Sequence, residues 1–150
     1  MKVLGNTILL ACTILLFACG SSNNNSTNVN GNWTATLTDQ SGAQAFAFTT
    51  SLNTNSDNSI TGSNVTFTTN NGCFANGATA TGAFSVTGNF NGNATGGFSL
   101  NLQSPATGAT GNNTLSMQGT LNNNTISGTW TLAGLQSGCT GSGTFTMTRM

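Results

Sequence analysis

Few residues in this chain can move a proton, attack a carbonyl carbon or hold a metal. The sequence of 150 residues has two carboxylates, Asp39 and Asp57, and two cations, Lys2 and Arg149. It has four cysteines (Cys12, Cys19, Cys73, Cys139) and no Glu, His or Tyr. General acid–base catalysis draws on His, Glu, Asp, Lys, Tyr or Cys at the reacting group, which leaves mainly the two aspartates to consider. Both lie in turn-like stretches, Asp39-Gln40-Ser41-Gly42 and Asn53 to Ser59, where a short carboxylate bonds nearby backbone. A glycosidase pair must converge across one cleft, which turn tips do not predict. The many Ser and Thr hydroxyls lack a base to activate them, and zinc would find no imidazole. The expectation is a protein without catalytic residues, metal or cofactor, and so not an enzyme.

Cys19 stands apart because of what precedes it. Lys2 supplies a positive charge, and Ile8 to Ala18 form an eleven-residue apolar stretch broken only by Cys12 and Thr13. Small residues follow, which completes the three parts of a secretory signal. A spanning helix needs about 20 apolar residues, more than this run offers. Leu16-Phe17-Ala18-Cys19 resembles the lipobox of bacterial lipoproteins: leucine three places before the cysteine and a small residue directly before it. Phe17 departs from the small or aliphatic residue usual there. Leu9-Leu10-Ala11-Cys12 has similar lettering, but a cut there leaves too short an apolar core ahead of it. The resemblance covers residues 1–20. It implies that residues 1–18 are a lipoprotein signal peptide, that Cys19 carries a diacylglyceryl thioether and that its amino group is acylated. Gly20 in place of Asp after the cysteine implies the outer membrane of a cell envelope, so one partner is the membrane itself. Residues 19–30 then form the lipidated cysteine and a Ser/Asn-rich tether, in which Val29 is the only apolar side chain beyond the anchor.

With Cys19 lipidated and Cys12 removed, Cys73 and Cys139 are the remaining thiols. An oxidising compartment predicts that they pair. A redox-active pair would use Cys-x-x-Cys and a basic or helix-terminal setting, and neither is present, so the bridge reads as structural.

The mature chain keeps Asp39, Asp57 and Arg149 as its charged side chains. Nucleic acid needs clustered Lys and Arg and charged partners need a one-signed surface, so both are excluded. Asn, Thr, Ser and Gly supply 86 of the 150 residues. Disorder pairs low hydrophobicity with high net charge, and charge is missing here. The ordering decides for structure: from Gly31 onward apolar residues alternate with period two, as half-buried strands do.

The apolar faces are Trp33/Ala35/Leu37, Phe46/Phe48/Leu52, Ile60 then Val65/Phe67, and Phe84/Val86/Phe90. Phe98/Leu100/Leu102, Leu115/Met117/Leu121, Ile126/Trp130/Leu132 and Phe145/Met147 complete the set. The change of parity between Ile60 and Val65 requires an extra residue, predicting a bulge at Ser63-Asn64. Asn/Gly turns join the segments and no helical period interrupts them. Residues 31–150 are therefore expected to form one all-β domain, an eight-stranded antiparallel up-and-down barrel; a two-sheet β-sandwich is the alternative. The outer face is Thr, Ser and Asn, unlike the apolar band of a transmembrane barrel. Gly62, Gly88, Gly119, Gly128 and Gly143 fall on inward faces, either to allow tight bends or to leave interior space. Asn53, Asn55 and Asp57 resemble the opening of an EF-hand loop. Asn58 and Asn64 replace its turn glycine and bidentate glutamate, so calcium binding is not expected. The Thr-x-Thr runs read as the outer face of a barrel that avoids charge.

The functional expectation is a lipid-anchored envelope lipoprotein whose barrel serves an interaction or structural role, with an envelope protein as partner. The alternative is a carrier of a small apolar molecule. Gly31-Asn32-Trp33 resembles the first strand of lipocalin- and avidin-type barrels, which can hold one small ligand. Trp33, Phe46, Phe48, Phe84, Phe98, Trp130 and Phe145 would line such a site.

Overall fold

The computed structural model describes residues 28–69, 73–74, 85–92, 97–104, 113–134 and 137–150. Cys19, with the expected signal and most of the expected tether, lies outside them, as does Phe84. Eight strands follow in order: β1 (Gly31–Asp39), β2 (Gln44–Thr54), β3 (Ser59–Thr69), β4 (Ser85–Phe90), β5 (Gly97–Ser104), β6 (Asn113–Asn122), β7 (Thr125–Ala133) and β8 (Gly141–Arg149). Each pairs antiparallel with its chain neighbours, and β8 returns to pair with β1 from Trp33↔Arg149 to Asp39↔Gly143. That last pairing closes the barrel, which decides against the sandwich.

The alternation produces this shape directly. Successive side chains of a strand point to opposite faces, so Trp33, Ala35 and Leu37 are fully buried while Thr34 and Thr36 are exposed. The same rule buries Leu115, Met117 and Leu121 on β6 and Phe145 and Met147 on β8. Facing threonines pair across the closure, Thr34 with Thr148, Thr36 with Thr146 and Thr38 with Thr144. Among the described residues the one large hydrophobic side chain left exposed is Met150. A lipid-facing apolar belt, which a membrane-spanning barrel requires, is not formed by these residues.

The bulge lies where parity demands it. Thr49 pairs with Thr66 but Ser51 pairs with Ser63, so β3 uses one residue more than β2. Asn64 absorbs it at φ 54°, a left-handed conformation that Asn tolerates better than most residues. The Thr50 hydroxyl, facing inward and 3% exposed, donates to the Ser63 carbonyl at 3.2 Å. Further register shifts fall at Leu37/Thr38 and Ala47/Phe48, so the two longest strands, β2 and β3, carry much of the bending.

The inward glycines mark close approach and bends, not vacant space. Gly119 and Gly128 sit opposite each other on β6 and β7. A Cβ on Gly128 would meet the Gln118 carbonyl oxygen, and one on Gly119 would lie 2.9 Å from Cζ of Phe145. At Gly143 a Cβ would strike the Thr38 carbonyl and lie 2.8 Å from Nε1 of Trp130. Backbone and rings already occupy what the missing side chains leave.

Gly128→Ala should therefore destabilise the barrel by about 1–3 kcal/mol, as overpacking against backbone does. Thr146→Ala, on the exposed face of β8, should stay within about 0.5 kcal/mol. Urea unfolding midpoints of the two variants check this; equal midpoints would contradict the close packing at Gly128.

Candidate functional site

Up-and-down strands give the barrel two unlike ends. The chain enters at the start of β1, and that end also carries the connections 55–58, 91–96 and 123–124 and the end of β8. The opposite end carries 40–43 and the longer connections 70–84, 105–112 and 134–140.

At the entry end the last residues of the expected tether pack onto the barrel. Val29 is fully buried. Its carbonyl accepts the indole N–H of Trp33 at 2.8 Å, and the Asn30 side-chain oxygen accepts the Thr54 amide at 2.6 Å. Arg149, the only cationic side chain after Lys2, closes over them. Its guanidinium donates through Nη2 to the Asn28 carbonyl at 2.8 Å and through Nη1 to the Asn30 carbonyl. It also lies 4.7 Å from the Trp33 ring centroid, within the range where ring quadrupole and cation attract. Burial lowers the Arg149 pKa from its ordinary value. Charge-assisted bonds are among the stronger ones available, and here they hold the entering strand to the last one.

At the far end the rings contact one another. Phe46 meets Trp130 edge-on at 5.3 Å and Phe74 at 6.0 Å; Phe67 stacks on Phe74 at 4.7 Å and lies 5.1 Å from Phe48. Phe74 comes from the 70–84 connection, and the Cys73–Cys139 disulfide beside it holds it down across a Cα separation of 5.5 Å. The buried side-chain amide of Asn113 donates to the Cys73 carbonyl at 2.8 Å. The Trp130 indole N–H reaches past Gly143 to the Thr38 carbonyl at 2.9 Å. Of the expected lining residues, Phe46, Phe48 and Trp130 belong to this cluster, Phe98 and Phe145 face each other at 6.3 Å, and Trp33 lies under Arg149. Phe84 is outside the described residues.

A groove of about 490 Å³ opens at this rim between the β1–β2 turn and strands β7 and β8, lined by Thr38, Asp39, Gln40, Thr129, Thr131 and Ser142 among others. Its walls are partly pre-set: Gln40 Nε2 donates to Ser142 Oγ at 3.1 Å, and the Thr38 and Thr144 hydroxyls are 3.0 Å apart. Its volume falls in the range of small-molecule sites, and its lining combines hydroxyls, an amide and one carboxylate with the Trp130 ring and the backbone of Gly42 and Gly143. Periodicity alone could not find it, because Asp39 and Thr129 meet only through barrel closure. The exposed Thr-x-Thr repeats were the one available signal.

The two carboxylates do not converge. Asp39 is at the far end and Asp57 in the 55–58 connection at the entry end. Asp39 Oδ1 accepts from the Ser41 hydroxyl at 2.6 Å, the Ser41 amide at 2.8 Å and the Ala43 amide at 3.0 Å. Asp57 Oδ1 accepts from the Ser59 hydroxyl at 2.6 Å and its amide at 3.0 Å. These bonds, the serine hydroxyls foremost, hold both carboxyls below their ordinary value. They are turn-forming anions, poorly suited as proton donors. Among the described residues no three His, Cys, Asp or Glu side chains gather to hold a metal ion.

Cys73→Ser should cost up to about 4 kcal/mol on the chain-entropy estimate for a separation of 66 residues, read as a urea midpoint that dithiothreitol lowers in the parent but not in the variant. Depressed carboxylate pKa values contribute stability above the unfolded-state pKa and lose it as pH falls through the folded-state one. The midpoint should therefore hold from neutral pH down to near the ordinary aspartate value of 3.8 and fall below it. Replacing both aspartates with Asn should flatten that fall.

No protein-family model, no curated protein and no solved structure matches this chain.

Proposed function

We propose that this protein is a lipid-anchored lipoprotein of the cell envelope, held in the outer membrane through Cys19, and that its barrel is a non-enzymatic interaction module. On this reading it works through its neutral outer face and its loop-bearing rim. The observation that carries the reading is that the protein's own side chains occupy both ends of the barrel interior. Val29 is buried at one end, and the Phe46–Phe67–Phe74–Trp130 cluster fills the other. A carrier of a small apolar molecule needs a connected space of about 300 Å³ or more. The side chains that would wall it are instead packed against one another. The opposed positions of Asp39 and Asp57, each bonded through Oδ1 within its own turn, support the non-enzymatic part.

The anchor suits a neutral domain with no basic patch to help it. Three acyl chains exceed the two signals that stable attachment needs, at about 0.8 kcal/mol for each buried methylene. An uncharged surface gives little electrostatic steering, so recognition would rest on hydrogen bonds from hydroxyl and amide groups.

Intact-mass measurement of the native product should show loss of residues 1–18 and added acyl mass on Cys19. An unprocessed leader or an unmodified terminus would remove the anchor. The mature chain should carry no lipid in native mass spectrometry, and fatty acid should leave its tryptophan emission unchanged. A stoichiometric bound lipid would replace the interaction reading with the carrier.

A further inference from the structure

We infer that the Arg149 clamp decides which end of the barrel meets the membrane. The entry-end turns form a surface that rests on phospholipid headgroups, and the rim bearing the disulfide and the groove points away. This rests on anchoring at Cys19 and adds an orientation to it.

The inference follows from lengths. Nine peptide steps separate Cys19 from Asn28. A flexible chain of that size has a root-mean-square reach of ~15–18 Å, and fully extended it spans at most ~30 Å. Nine-residue strands rising about 3.3 Å per residue and tilted about 40° make a wall ~23 Å tall. Turning the far rim to the membrane would take the connection back along that wall and down to the lipid, close to its full extension. Releasing Asn28, Val29 and Asn30 would lengthen the free chain to twelve steps, with a typical reach of ~17–21 Å and a limit near ~40 Å. Inversion would then be accessible. Arg149, by holding the carbonyls of Asn28 and Asn30, keeps the connection short and fastened at one end.

The surface so presented fits a lipid headgroup layer. Its described turns are Asn55, Ser56, Asp57 and Asn58, then Asn91 and Gly92, then Asn123 and Asn124. These offer amide donors and acceptors to phosphate and ester oxygens, and the side-chain charges at this end, Asp57 in a turn and the half-buried Arg149 beside the turns, are of opposite sign. Contact should therefore not require anionic lipid and should change little with salt.

The test attaches the lipid chemically, so that it stands apart from whether a cell lipidates Cys19. The isotope-labelled chain from Cys19 to Met150, with the Cys73–Cys139 bridge intact, has one free thiol for coupling to a maleimide lipid in phosphatidylcholine nanodiscs. A gadolinium-chelating lipid then broadens amide signals near the surface. Broadening should be several-fold stronger at 55–58, 91–92 and 123–124 than at 39–43 and 137–138. Arg149→Ala, with its amide spectrum confirming the fold, should bring the two groups closer together. Equal broadening in the parent, or stronger broadening at the far rim, would overturn the orientation. An unchanged contrast in a folded Arg149→Ala would overturn the role of the clamp. If that variant does not fold, Trp33→Phe, which removes the Val29 hydrogen bond from the same clamp, gives the same comparison.

Discussion

The pairing of the first strand with the last is the constraint on which the rest of this protein depends. Until β8 lies beside β1, a strand at each edge of the sheet exposes unpaired backbone, a template for aggregation. Charged side chains are a usual protection for such edges, and this chain has almost none to place there. Closure pairs those two edge strands with each other instead. It also sets Thr38 beside Thr144, passes Trp130 beneath Gly143 to the Thr38 carbonyl, and brings Arg149 over Trp33 and the entering segment. Each of those contacts joins residues about a hundred positions apart.

With no ionic network to draw on, the fold uses three other restraints. Aromatic rings interlock at the far end, where geometry beyond simple burial contributes. A disulfide ties the loop carrying Phe74 to the loop before β8 and so holds that ring against Phe67. Close strand contacts at glycine bend the wall tightly enough for eight strands to close around rings. The bulge at Ser63-Asn64 belongs with these, because it lets β3 keep an apolar inner face on both sides of a bend.

The two carboxylates act locally, within their turns. Each accepts its hydrogen bonds through Oδ1 from its own turn, and the turns are at opposite ends of the barrel. Beyond them, the described outer surface is rich in hydroxyls and amides, with a groove at one rim.

Strand number, strand faces and the bulge were legible in the residues. Period-two alternation is a local property: each side chain's face is set by its immediate neighbours, and a change of parity such as Ile60 to Val65 demands an insertion wherever the strand ends up. The pairing of Cys73 with Cys139 was legible as well, by counting thiols rather than by geometry. The groove, the clamp on Asn28 and Asn30 and the burial of Val29 were not. Val29 sits in a polar stretch with no period to mark it, and its burial depends on Trp33, Thr54 and Arg149 arriving at one place. Barrel against sandwich was likewise beyond the alternation, because both architectures bury one face of every strand. Local patterning determined which residues point inward; the long-range pairing of β1 with β8 decided what they enclose, since closure is a relation between chain ends that no local period encodes.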